Sequence, residues 1–112
     1  MSTRAALSRV IALLPFAVPL HVYAQGFAYV SNYGSASVSV IDTLTNTVTN
    51  VDNVFANGPN SVVITPDGAH AYVADVLYNY GVSIIDTSKN EVTGGFGTTG
   101  QPIFLAISPD GR

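Results

Sequence analysis

The stretch Asn60–Asp75, NSVVITPDGAHAYVAD, holds one strand, a turn and a second strand, and each half has a copy elsewhere in the chain. Ala28, Tyr29 and Val30 recur 43 positions later as Ala71, Tyr72 and Val73. Pro59, Ile64, Pro66, Asp67 and Gly68 recur at that same offset as Pro102, Ile107, Pro109, Asp110 and Gly111. Between these anchors Val38, Ser39, Ile41, Asp42, Thr43, Asn46, Val48 and Thr49 recur 44 positions on as Val82, Ser83, Ile85, Asp86, Thr87, Asn90, Val92 and Thr93. One residue is therefore gained and then lost, which loops allow. A period of roughly 40 to 50 residues with several short strands per unit is the signature of a propeller blade array, whose units cover their apolar faces only by stacking.

The central unit reads as a four-stranded meander within residues 61–96. Its strands are Ser61–Thr65, Ala71–Val76, Val82–Thr87 and Glu91–Phe96, separated by the turn Pro66-Asp67-Gly68, a loop ending at Gly81, and the turn Ser88-Lys89-Asn90. Upstream, Phe27–Asn32, Ser37–Asp42 and Thr47–Val51 supply three strands of another unit. Downstream, Pro102–Ser108 opens a further one, of which only this first strand is expected before Arg112. No window shows the three-to-four spacing of a helix, so the expected class is all-β, in antiparallel meander blades. Strands covered on both faces read as unbroken apolar runs. Ile103–Ile107 is apolar throughout whereas Glu91–Gly95 holds a single apolar residue, so the first strand of each unit is expected to be innermost and the fourth outermost.

The chain has 112 residues, 47% of them apolar and 10% charged, which suits a folded protein, and it has no cysteine. Arg4 and Arg9, the apolar run Val10–Val22 and the ending Val22-Tyr23-Ala24 have the order of a secretory signal peptide over residues 1–24, cleaved between Ala24 and Gln25. The run carries two prolines and is shorter than the roughly 20 residues needed to span a bilayer. The mature segment, 25–112, is thus expected to be exported to the periplasm, the cell surface or the medium, with no membrane span. Cleavage removes two of the four basic residues and none of the seven acidic ones, leaving a net charge of −5. A phosphate backbone requires a basic footprint, so nucleic acid is not an expected partner.

Motif chemistry points to turns rather than to a reaction centre. Asp42 and Asp86 each precede Thr and a turn, where a carboxylate caps nearby backbone N–H groups. Asp67 and Asp110 lie in Pro-Asp-Gly hairpins, in which Pro presets one dihedral and Gly takes the positive φ. His70 stands alone after cleavage, without the further ligands a zinc site needs. No nucleophile pattern of the Gly-x-Ser-x-Gly kind occurs, and Gly94-Gly95-Phe96-Gly97 precedes no helix. No catalytic residue, metal ligand or cofactor is expected within this segment. In a meander successive turns alternate between the two ends of the sheet. The Pro-Asp-Gly and Asp-Thr turns share one end, and the other collects Tyr33–Ala36, Phe55–Asn60, Leu77–Tyr80 and Gly97–Gln101. That second end differs more between copies and is rich in tyrosine and asparagine. It is the expected binding face, through Tyr33, Asn57, Asn60, Tyr78, Asn79, Tyr80 and Gln101, for a protein or small-molecule ligand.

At Tyr29-Val30-Ser31-Asn32, Val38-Ser39-Val40-Ile41-Asp42-Thr43, Val82-Ser83-Ile84-Ile85-Asp86-Thr87 and Ser108-Pro109-Asp110-Gly111 the chain resembles the YVTN family of β-propeller repeats. The second copy departs from the name motif, reading Tyr72-Val73-Ala74-Asp75 with Asp where the motif has Asn. The resemblance implies a secreted, periplasmic or cell-surface repeat protein and a propeller closing with about seven blades, of which this chain would be the start. Fold does not transfer function, and with no reactive motif in the segment the expected role is a non-enzymatic binding or interaction module, with two alternatives. One is the N-terminal part of a lactonase-like or quinoprotein-dehydrogenase-like enzyme, and the other is a structural surface repeat. Because repeat units stabilise one another across their interfaces, so short an array is expected to self-associate or stay loose.

Overall fold

Alternating small polar and β-branched residues make seven strands in chain order, in a computed structural model that describes residues 26–52, 54, 58–77 and 80–112. They are β1 Phe27–Asn32, β2 Ser37–Asp42, β3 Thr47–Asp52, β4 Pro59–Ile64, β5 His70–Asp75, β6 Gly81–Asp86 and β7 Glu91–Gly97. They form two antiparallel meanders, β1-β2-β3 and β4-β5-β6-β7. The sequence repeat is a repeat of pairing: Ala28 faces Ile41 across β1 and β2, as Ala71 faces Ile85 across β5 and β6. The proposed cleavage bond Ala24–Gln25, with Asn57, Tyr78 and Asn79, lies outside the described residues.

Two kinds of turn recur with their sequence motifs. In Asp-Thr-x-x-Asn the Asp42 carboxylate accepts from Leu44 N at 2.8 Å and Thr45 N at 3.2 Å, and Asp86 accepts from Ser88 N at 2.8 Å. Asn46 and Asn90 take positive φ, 59° and 56°, and return their N–H groups to the carbonyls of Asp42 and Asp86. Thr43 and Thr87 bind back through N–H and hydroxyl to Gly26 and to Ala69 and Gly68, tying each turn to the lead into the preceding strand. In the Pro-Asp-Gly hairpins Gly68 (φ 74°) donates to Thr65 O and Gly111 (φ 76°) to Ser108 O. Both aspartate pairs serve as turn caps.

The core lies between the sheets. Residues of one face of the first sheet, Val38, Val40 and Val51, meet residues of one face of the second, Ala71, Val73 and Ile85, with Val54 in the same buried cluster. Tyr29, Val62, Ile64 and Val92 pack around it. β1 lies beside β4 and β3 beside β7, so the sheets stack face to face in the same order. The Tyr29 hydroxyl donates to Asn90 Oδ1 at 3.0 Å, a bond from one sheet into a turn of the other.

Three details differ from the sequence reading. β4 begins at Pro59, two residues early, because Pro59 pairs with Asp75 and Asn60 is then bulged out before Ser61 meets Ala74. Pro102–Ser108, expected to open a further unit as its first strand, pairs with no strand among the described residues. This segment runs beside β4, held by Asn60 Nδ2 to Ile103 O at 2.9 Å and Leu105 N to Ser61 Oγ at 3.2 Å. Burial also follows another order: β5 and β6 are the most covered strands, while β4 is largely half-buried and Phe104 is 83% exposed. Apolar composition marks what a strand is suited to bury against, and cover is set by which neighbours are present.

Candidate functional site

The loop end is assembled by backbone bonds that extend the β4–β5 and β6–β7 pairings at one end of the second sheet. Val76 N donates to Gly58 O at 3.1 Å and Thr98 N to Tyr80 O at 3.0 Å. Gln101 reaches the end of β5, its Nε2 donating to Val76 O at 2.9 Å. Tyr80 is thereby left 39% exposed beside the 98–101 connection, and Asn60 is turned outward by its bulge. In the first sheet the turn Tyr33–Ala36 occupies the corresponding end, with Tyr33 52% exposed and Ala36 at φ 54°. Among the described candidates the fold thus gathers Asn60, Tyr80 and Gln101 on the second sheet, while Tyr33 occupies the equivalent end of the first.

At the foot of this end sits a carboxylate that sequence reasoning did not place in the site. Asp75, last residue of β5, is fully buried. Its Oδ2 accepts from Ser83 Oγ at 2.8 Å, and its Oδ1 has no partner among the described residues. Burial pushes the carboxyl above its ordinary value, against the opposing pull of the Ser83 bond. In the other copy the position is Asn32, whose Nδ2 donates to Ser37 Oγ at 3.1 Å and Ser39 Oγ at 2.8 Å. The signal was present in the sequence as Asp in place of Asn; its burial was not.

His70 opens β5 at the other end, with its backbone N–H on Thr65 Oγ1 at 3.0 Å. It lines an open cleft of about 330 Å³ with Asp67 and Asp110, whose carboxylates are already taken by their own turns. No group of three or more His, Cys, Asp or Glu placed to hold a metal ion occurs among the described residues. None of their helices is long and apolar enough to cross a membrane.

No protein-family model matches the chain, and no curated protein does. Among solved structures it is similar to the hydrazine synthase of Kuenenia stuttgartiensis, at 35% identity and a TM-score of 0.69, over 76% of this chain and 24% of that one. The folds of such neighbours are of propeller type. The two sheets are propeller-type blades. A functionally unknown protein from Desulfotomaculum acetoxidans shares the fold, at 21% identity and a TM-score of 0.66, over 77% of this chain and 29% of that one. The blades described here therefore span about a quarter of the length of the hydrazine synthase chain.

Proposed function

We propose that this chain is a YVTN-type propeller repeat module, exported from the cytoplasm, that binds a protein or small-molecule ligand through the loop end of its blades and performs no catalysis in this segment. The observation that carries the reading is the contrast between the two ends. At one, the four motif aspartates are consumed by their own turns: Asp42, Asp67, Asp86 and Asp110 all accept local N–H or hydroxyl groups. At the other, Tyr33 and Tyr80 stay exposed on loops tied to a rigid sheet. Tyrosine there offers flat apolar area with a polar tip at small entropic cost. The test is capture from a cell-surface extract by the full chain, by a Tyr33→Ala/Tyr80→Ala variant and by a Ser88→Ala variant altered at the opposite end. Loss of the same captured species from the tyrosine variant alone is expected, and equal capture by all three would remove this face as the binding surface.

A second reading has one observation in its favour. Similarity to a hydrazine synthase at 35% identity supports these blades being the propeller part of an enzyme whose chemistry resides in other segments. In that case the loop end contacts a neighbouring segment or subunit, and the captured species is part of the same assembly.

A further inference from the structure

The seven acidic side chains divide by use. Asp42, Asp67, Asp86 and Asp110 cap turns, and Asp75 is buried against Ser83. Asp52 and Glu91 are exposed, and neither carboxylate takes part in a hydrogen bond or ion pair among the described residues. Both line one open cleft of about 330 Å³, with Asn50, Val51, Asn90 and Val92. The cleft lies where β3 of the first sheet passes β7 of the second. Its two amides are engaged through their oxygens, Asn50 Oδ1 accepting from Ser39 Oγ at 2.9 Å and Asn90 Oδ1 from the Tyr29 hydroxyl at 3.0 Å. The free charge in the cleft is therefore negative.

Beside the cleft runs an open strand edge. β3 and β7 close their meanders on the side away from β1 and β4, and among the described residues each is paired on one side only, by β2 and by β6. An edge strand presents a row of free N–H and C=O groups and is ordinarily guarded by a bulge, a lysine or a proline. β7 is guarded. Its register with β6 shifts between Ile84 and Ile85, which leaves Thr93 out of the ladder, and Gly94 and Gly95 offer a partner no side chain. β3 has no such device. Its residues, Thr-Val-Thr-Asn-Val-Asp, pair with β2 in unbroken register and include no proline, glycine or cation. Thr47, Val48, Thr49 and Asn50 are all exposed.

We propose that the β3 edge takes up an extended segment of a basic polypeptide, which adds as a further strand beside β3 and places cationic side chains in the cleft of Asp52 and Glu91. An added strand continues the pleat, so its alternate side chains share the face of Val51, which belongs to the buried cluster between the sheets. Those side chains are directed toward the second blade, where Glu91 opens β7. Main-chain bonds along the edge supply affinity without regard to sequence, and the two carboxylates select lysine or arginine. A second copy of this chain is the poorer occupant, since its own β3 brings another carboxylate to the cleft and no cation. The surface is a strand edge with its neighbouring cleft and does not use Tyr33 or Tyr80.

The test is titration of the full chain into a short dye-labelled peptide of alternating lysine and threonine. One control peptide has glutamate in place of lysine, and another is the lysine peptide N-methylated at adjacent residues, which leaves neither of its edges able to pair. Binding of the lysine peptide is expected, with amide exchange slowed in β3 and unchanged in β7. Asp52→Asn/Glu91→Gln, altered only at exposed side chains, is expected to keep its thermal midpoint and to bind about fivefold more weakly, because two exposed charge pairs are lost. Absence of binding, equal binding of either control peptide, or equal binding by the variant overturns the proposal. Exchange in β3 that slows with protein concentration in the absence of peptide assigns the edge to a second copy and overturns it as well.

Discussion

A carboxylate with one oxygen hydrogen-bonded and the other unpartnered is costly to bury, and Asp75 is in that position while its copy Asn32 is satisfied twice. Its folded pKa is raised, so as pH rises the unfolded chain releases the proton first. Stability is then full below the unfolded value of about 3.9 and is lost as pH climbs through the folded value. Asp67, Asp86 and Asp110 are shifted downward by hydrogen bonds from their own turns, so their contribution is lost only as pH falls below that range. The thermal midpoint is predicted to fall as pH rises above about 4, and Asp75→Asn to flatten that slope and add about 1 kcal/mol on its high-pH side. Calorimetry of both proteins across the range checks it; an unchanged slope in the variant would assign the effect elsewhere. Ala36 is a second residue at odds with its place, since φ 54° favours glycine. Ala36→Gly is predicted to be neutral or stabilising by up to about 1 kcal/mol in urea unfolding.

Hairpins are where local sequence and structure agree most closely. The Asp-Thr-x-x-Asn turn is specified by an aspartate that accepts two N–H groups, a threonine that reaches the preceding strand and an asparagine that tolerates positive φ. Asn90 does more, accepting the Tyr29 hydroxyl from the other blade. Asn90→Ala is therefore predicted to cost about 1–2 kcal/mol, more than Asn46→Ala, where no bond between blades is lost. Gly81 shows the opposite situation, a requirement of pairing rather than of turn chemistry. A Cβ there would lie 2.6 Å from the Phe96 carbonyl oxygen of the facing strand, although Ser37 fills the same repeat position in the first blade. Gly81→Ala is predicted to separate β6 from β7 and lower stability by about 2 kcal/mol or more in thermal unfolding, with amide exchange speeding first in β7.

Across the whole molecule the two blades share one buried cluster, so they are expected to unfold together. Ile85, fully buried on β6, belongs to the cluster that Val38 and Val40 of the first blade also form. Ile85→Ala is predicted to cost about 2–5 kcal/mol and to weaken amide protection in β2 as well as in β6, because a cavity at the interface is felt from both sides. Loss confined to the second blade would show that the blades fold independently.

The seven strands of the two sheets, their order, their turn types and the repeat between them were readable from residue spacing, because alternation and turn chemistry act over a few neighbours and the 43-residue offset displays them twice, whereas the eighth strand expected at Pro102–Ser108 did not form. The capping roles of Asp42, Asp67, Asp86 and Asp110 were readable for the same reason. Other features depended on distant parts of the chain. An apolar run such as Ile103–Ile107 states only that it is suited to burial, and whether it pairs or stays open depends on which edge comes within reach. Tyr33 and Tyr80 could be assigned to one end by counting turns, but their exposure was settled by how the loops are tied down. The burial of Asp75 and the bond from Tyr29 to Asn90 arise because two sheets stack face to face, which brings together residues as many as 61 positions apart that no local pattern connects.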